Sequence, residues 1–120
     1  MFTKIFKFLI RKILFFIPLS ILPGLNNFLF NLLGYTISKS VNILSSAQIF
    51  GNIRVKISDN TYIGHETIIT GGDNALIQIG KNCDISDRVS IFCGTHEISK
   101  IGKRSAGKGI GKDITIGNGV

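Results

Sequence analysis

Residues 1 to 56 of this 120-residue chain contain no aspartate and no glutamate, although Lys4, Lys7, Arg11, Lys12, Lys39, Arg54 and Lys56 all lie there. From residue 57 onward seven acids balance seven bases, so the whole net charge of +7 belongs to the first half. Such a surplus points to nucleic acid or to an anionic membrane surface, and the neighbouring residues decide between them. There are two prolines and no long polar tract, which leaves little scope for disorder. Cys83 and Cys93 fit no CxxC or metal-ligand spacing, so two buried thiols in a reducing cytosol are expected rather than a disulfide. Long hydrophobic runs are missing too. The longest charge-free apolar stretch, residues 13–22, is about half the roughly 20 residues that a spanning helix needs, and it holds Pro18. Leu22-Pro23-Gly24-Leu25 lacks the small-residue cleavage site of a signal peptide.

What is present in the arm, residues 1–34, is helical periodicity. Over residues 2–17, Phe2, Ile5, Phe6, Leu9, Ile13, Phe16 and Ile17 fall on one side, and Lys4, Lys7 and Arg11 on the other. This predicts a basic amphipathic helix suited to lying in the headgroup region of an anionic bilayer, giving a cytoplasmic protein peripheral at the inner face of the membrane. The competing reading is that the helix caps the end of the following domain and packs on a partner subunit. Bases interleaved with bulky aliphatics do not suit a phosphate backbone, so nucleic acid is not expected. Pro23 and Gly24 interrupt the pattern, and residues 25–33 predict a second short helix ending near Gly34.

Beyond the arm, isoleucine recurs every sixth residue. Ile37, Ile43 and Ile49 form one set, Ile57, Ile63 and Ile69 a second, Ile79, Ile85 and Ile91 a third, and Ile116 opens a fourth. A period of six is neither that of a helix nor that of an ordinary strand, and it asks for a short strand and a tight turn that together use six residues. Three such units would close an 18-residue triangular coil, and coils stacked about 4.8 Å apart would bury the isoleucines in a solenoid. The sets are offset by 20, 22 and 37 residues, which leaves insertions of 2, 4 and 19. Four residues after the isoleucines stand Val41, Ala47, Ile53, Thr61, Thr67, Asp73, Cys83, Val89 and Thr95, expected to fill inward corners. Glycine or serine follows many of the isoleucines, as at Gly64 and Gly80, and suits a turn that needs unusual φ/ψ or a small side chain.

With these hexads the sequence resembles the hexapeptide-repeat acyltransferases, built from units of the form [LIV]-[GAS]-x-x-[small]-x. The resemblance covers residues 37–120 and is greatest to the branch that O-acetylates sugars, where a segment like IGKNCDISDRVSIFCGTH ends in a histidine and precedes a long loop and a coil beginning like ITIGNGV. It implies an all-β solenoid, a left-handed parallel β-helix over residues 35–120 interrupted by a loop at 97–113. The implied activity is transfer of acetyl from acetyl-CoA, a co-substrate, to a hydroxyl of a capsule, exopolysaccharide or lipopolysaccharide precursor, in a homotrimer and without a metal.

An imidazole with a pKa near neutrality suits removal of the hydroxyl proton during attack, and His96 stands where the repeat gives way to the insertion. Glu97 would polarise or orient the ring, or else is a solvated first residue of the loop. In the cation-rich insertion, which also holds Lys100 and Lys103, Lys108 and Lys112 would contact the phosphates of the co-substrate and Arg104 the acceptor; the competing reading is a solvated mobile loop. Related enzymes carry asparagine where this chain has Arg88, so the oxyanion donor is Arg88, Asn82 or a backbone N–H. His65, at the third position of its hexad, is expected to point to solvent or to a neighbouring subunit. An acyl-Cys93 step is disfavoured because the enzymes resembled here transfer directly. Gly102 to Lys108 spells GxxxxGK, yet Gly109 replaces the Ser/Thr that would hold magnesium and no long strand precedes it, so it is not a P-loop. The γ-type carbonic anhydrases of this fold need three zinc histidines, and the chain has two. Related enzymes continue through further coils, so the 120-residue chain is expected to be a fragment with little activity alone. The alternatives are a non-catalytic scaffold or polymerising module, and an acetyltransferase for a small acceptor such as serine.

Overall fold

The computed structural model describes residues 3–120. Helix α1 is Lys4–Phe16, and it begins where the Thr3 hydroxyl accepts the Phe6 N–H at 3.1 Å, which satisfies one orphan donor of the first turn. It ends at Ile17, before Pro18, whose ring disfavours helical geometry in the preceding residue. Helix α2, Pro23–Leu32, has proline in its first turn and is closed by Gly34 at φ 104°, a left-handed conformation that glycine adopts without strain. Phe2, placed by the sequence on the apolar face of the first helix, lies outside the described residues.

Ten strands follow: β1 Thr36–Ile37, β2 Asn42–Ile43, β3 Gln48–Ile57, β4 Tyr62–Ile63, β5 Ile68–Ile79, β6 Asp84–Ile85, β7 Ser90–Phe92, β8 Gly94–Ile98, β9 Ala106–Gly111 and β10 Ile114–Ile116. One parallel sheet runs β1-β3-β5-β10, with β7 also paired to β5, a second runs β2-β4-β6, and β8 and β9 form an antiparallel pair. The expected fold class, an all-β solenoid in the form of a left-handed parallel β-helix, is corrected. The described residues form a mixed α/β fold of two helices and three small sheets, and these elements do not define a solenoid. The periodicity overstated uniformity for three reasons. The helices supply Ile10, Leu14, Leu29 and Phe30 to the same core as the isoleucines, β3 and β5 run for 10 and 12 residues, and the last insertion folds as an antiparallel ladder.

The hexad isoleucines nevertheless set the strand register. Ile37 pairs with Ile57, Ile43 with Ile63 and Ile49 with Ile69; Ile57 pairs with Ile79, Ile63 with Ile85 and Ile69 with Ile91; Ile79 pairs with Ile116. Ile43, Ile49, Ile63, Ile69 and Ile79 are fully buried. At the corners, Thr61 and Thr67 are buried and donate their hydroxyls to the Gly80 and Ser86 carbonyls at 2.7 and 2.9 Å, and the Cys83 thiol reaches the Gly117 carbonyl at 3.0 Å. Cys83 and Cys93 are free and buried. Asp73 and Thr95, expected inward, are exposed. The pairing slips between Gly51 and Ile53, so that Asp73 and Asn74 bulge at φ 60° and 52° while Ala75 turns into the core.

At the corners it is the small side chain, of the two expected needs, that Gly64 and Gly80 meet. Gly64 and Gly80 do not supply positive φ; they leave space, since a Cβ on either would overlap the turn lying against it. The left-handed residues come two positions later, Asn60, Glu66, Asn82 and Arg88, at φ between 55° and 57°. Asparagine tolerates that region, but for Glu66 and Arg88 it costs about 1–2 kcal/mol each.

Candidate functional site

The hairpin β8–β9 carries most of the residues singled out by the sequence. Cys93 accepts the Lys112 N–H through its carbonyl at 3.0 Å, the Asp73 carboxylate accepts the Gly111 N–H at 3.3 Å, and the Asp113 carboxylate accepts the Leu76 N–H at 2.8 Å. Glycine is required at this seam. A Cβ on Gly111 would overlap the Gly72 carbonyl oxygen, and one on Gly71 would overlap the Cys93 sulfur. The hairpin is thereby pressed onto β5, and its outer face is left to solvent.

His96 lies on β8, opposite Gly109, and is exposed. The register shifts between His96 and Ile98, so that Glu97 faces both Gly107 and Lys108 on the other strand. Glu97 is exposed beside His96 at this irregularity. Lys108 is exposed on β9, Arg104 lies in the connection between the two strands, and Lys112 follows β9 at the hairpin base. His96, Lys108, Lys112 and Arg104 therefore share one element. Asn82 and Arg88 do not join them. The Asn82 side-chain carbonyl accepts the Asn60 amide at 2.7 Å, and the Arg88 guanidinium lies 3.7 Å from the Glu66 carboxylate, each within a corner network that excludes the hairpin.

A second cluster went unrecognised in the sequence. Between the end of α1 and the start of β3, a groove of about 590 Å³ has apolar walls of Leu14, Phe15, Ile17, Leu19, Phe30 and Phe50. Ser46, His65 and Glu66 line its polar side. The Ser46 hydroxyl lies 2.7 Å from His65 Nδ1, and His65 Nε2 lies 2.8 Å from Glu66 Oε1. His65 was expected to point to solvent or to a neighbouring subunit; it is half-buried between these two partners. The signal was available in the spacing, because Ser46 and Glu66 are 20 residues apart, the same offset that pairs Ile43 with Ile63.

Elsewhere the corners are purely structural. Ser38 and Ser40 donate to the exposed Asp59 carboxylate, and the Ser38 bond holds its pKa below the ordinary carboxylate value. Among the described residues no group of three or more His, Cys, Asp or Glu side chains is placed to hold a metal ion.

No protein-family model, curated protein or solved structure matches the chain.

Proposed function

We propose that the chain belongs to an acetyl-CoA-dependent O-acetyltransferase that acts on a hydroxyl of a cell-envelope saccharide, with His96 as general base. The observation that carries this reading is an exposed imidazole on a hairpin fixed by the Gly71–Cys93 and Gly72–Gly111 contacts, with Arg104, Lys108 and Lys112 on the same element. The 79–96 segment that leads into it carries the sequence resemblance. The acceptor hydroxyl passes its proton to the imidazole as its oxygen bonds to the thioester carbonyl carbon. The C–S bond then breaks, and the departing sulfur takes that proton. Lys108 and Lys112 meet the phosphates of the co-substrate, and Arg104 the acceptor.

In the same reading the protein is a homotrimer that works at the inner membrane surface, held there by α1. No helix among the described residues is long and apolar enough to cross a membrane. An exposed apolar face flanked by Lys4, Lys7 and Lys12 suits the interface of an anionic bilayer.

The test uses acetyl-CoA with a panel of 4-nitrophenyl hexopyranosides and follows free thiol together with acetylated sugar. Wild type is expected to transfer acetyl only slowly, in keeping with the little activity expected of it alone, and His96→Ala to lose that transfer. Absence of transfer by wild type, or an undiminished rate in His96→Ala, refutes the assignment.

A further inference from the structure

We infer that the groove beneath α1 is a second reactive site, in which Ser46 is an acylatable nucleophile, His65 its base and Glu66 the group that orients the base. The geometry is that of an activated hydroxyl. Ser46 Oγ stands 2.7 Å from His65 Nδ1, and the opposite ring nitrogen stands 2.8 Å from Glu66 Oε1. With Nε2–H donating to the carboxylate, Nδ1 is left as the acceptor that faces the hydroxyl. The remaining members of the cluster fix the positions of these three. Ser46 Oγ accepts the Glu66 N–H at 3.1 Å, the Asp87 carboxylate accepts the His65 N–H at 2.8 Å, and Arg88 lies against the second oxygen of Glu66.

A comparison within the chain separates this arrangement from ordinary corner bonding. Ser40 makes the equivalent bond, accepting the Asn60 N–H at 2.9 Å, but its other contact is the Asp59 carboxylate, and no imidazole is bonded to it. At Ser46 the partner is an imidazole, and there the corner opens on a groove.

The walls indicate the substrate class. A groove of about 590 Å³ falls in the range of small-molecule sites, and its six apolar side chains would surround an aliphatic chain while the carbonyl lies at Ser46. The Gln48 amide, in the lining of the groove, is the side-chain donor proposed for a developing oxyanion, since the Arg11 guanidinium in the same lining is already bonded to the Ile49 carbonyl and the Tyr35 hydroxyl. The substrate is an aliphatic acyl ester. In the acylation step the Ser46 Oγ–carbon bond forms, the carbon–alkoxide bond breaks, and the serine proton passes through His65 to the departing oxygen. Water then releases the acid by the same route. Nothing in this step uses His96.

The experiment treats the full chain with 4-nitrophenyl octanoate and, separately, 4-nitrophenyl acetate, then maps the acylated peptide by mass spectrometry. An octanoyl group on Ser46 is expected, with Ser38, Ser40 and Ser45 of the same molecule unlabelled. Octanoate should acylate at least tenfold faster than acetate, and His65→Gln should slow labelling about 100-fold while Ser40→Ala leaves it unchanged. The inference is overturned if wild type carries no label at Ser46, if the label is spread over lysines and other serines, or if acetate reacts as fast as octanoate. Because the decisive readout is on wild type, misfolding of a variant cannot rescue the idea.

Discussion

Three asparagines of α2 take the place of a neighbouring strand. The edge of a parallel sheet presents unpaired carbonyl and N–H groups, which if left open would invite another chain. Asn26, fully buried, donates to the Leu19 and Ile43 carbonyls at 3.0 Å each. Asn27 donates to Val41 at 2.7 Å and to Ser38 and Lys39 at 3.1 and 3.2 Å, while Asn31 both donates to the Ile37 carbonyl and accepts its N–H at 3.0 Å. The first row of strands is thus closed by side-chain amides, which can follow a helix in sequence where backbone could not. A buried carbonyl stripped of its donor costs about 1–3 kcal/mol. Asn27→Leu, which keeps the volume and removes the donor, should lower stability by about 2–3 kcal/mol in urea unfolding. A loss under about 0.5 kcal/mol, the usual scale of surface substitutions, would show that the amides are incidental.

Among the elements, the hairpin depends on the seam between Gly71–Gly72 and Cys93–Gly111. Gly111→Ala places a methyl group against a backbone oxygen that cannot step aside, and Gly71→Ala drives one into the buried sulfur of Cys93. Either should lift β8–β9 from β5, with amide exchange accelerated across residues 94–111 and a stability loss of about 1–3 kcal/mol, the usual cost of overpacking. Gly109→Ala is the control, because its Cβ would sit 4.0 Å from His96 Cδ2, an ordinary contact. Equal exchange rates in Gly111→Ala and Gly109→Ala would mean that the seam does not hold the hairpin. The sequence reached part of this. Isoleucine spacings of 20, 22 and 37 residues foretold the pairing offsets, because a slip of one residue would turn the isoleucines to the other face of the sheet. The antiparallel course of residues 94–111 was not legible, since GTHEI and AGKGIG carry no apolar alternation and are held by glycine approach instead. The Ser46–His65–Glu66 cluster escaped for a related reason. Hexad counting sorts residues into inward and outward positions, whereas this contact runs sideways between turns 20 residues apart.

For the whole molecule, charge and apolar exposure are concentrated together. Only Ile10 and Leu14 of α1 are buried, whereas Ile5, Phe15, Phe16 and Ile21 are each more than 70% exposed, and Leu9, Ile13, Leu22 and Phe28 are exposed beside them. Arg11, expected on the solvent side, is instead tied inward, its guanidinium donating to the Ile49 carbonyl at 2.7 Å and to the Tyr35 hydroxyl at 3.4 Å. With Arg11 turned in, the aromatic residues face out, next to Lys4, Lys7 and Lys12 and with no acid in the first 56 residues to offset them. Bilayer contact would bury the two phenylalanines, for about 1.5–3 kcal/mol apiece if complete, and would add roughly 1 kcal/mol for each lysine close to an anionic surface. Co-sedimentation with vesicles of mixed phosphatidylcholine and phosphatidylglycerol should therefore capture the protein, and capture should weaken in salt and on phosphatidylcholine alone. Phe15→Asp combined with Phe16→Asp should reduce partitioning at least tenfold and leave the urea midpoint unchanged, because neither ring belongs to the core. If the double variant still binds, or if wild type ignores anionic vesicles and instead associates in a concentration-dependent way that the same variant abolishes, the exposed face is an interface between protein chains and the membrane assignment fails.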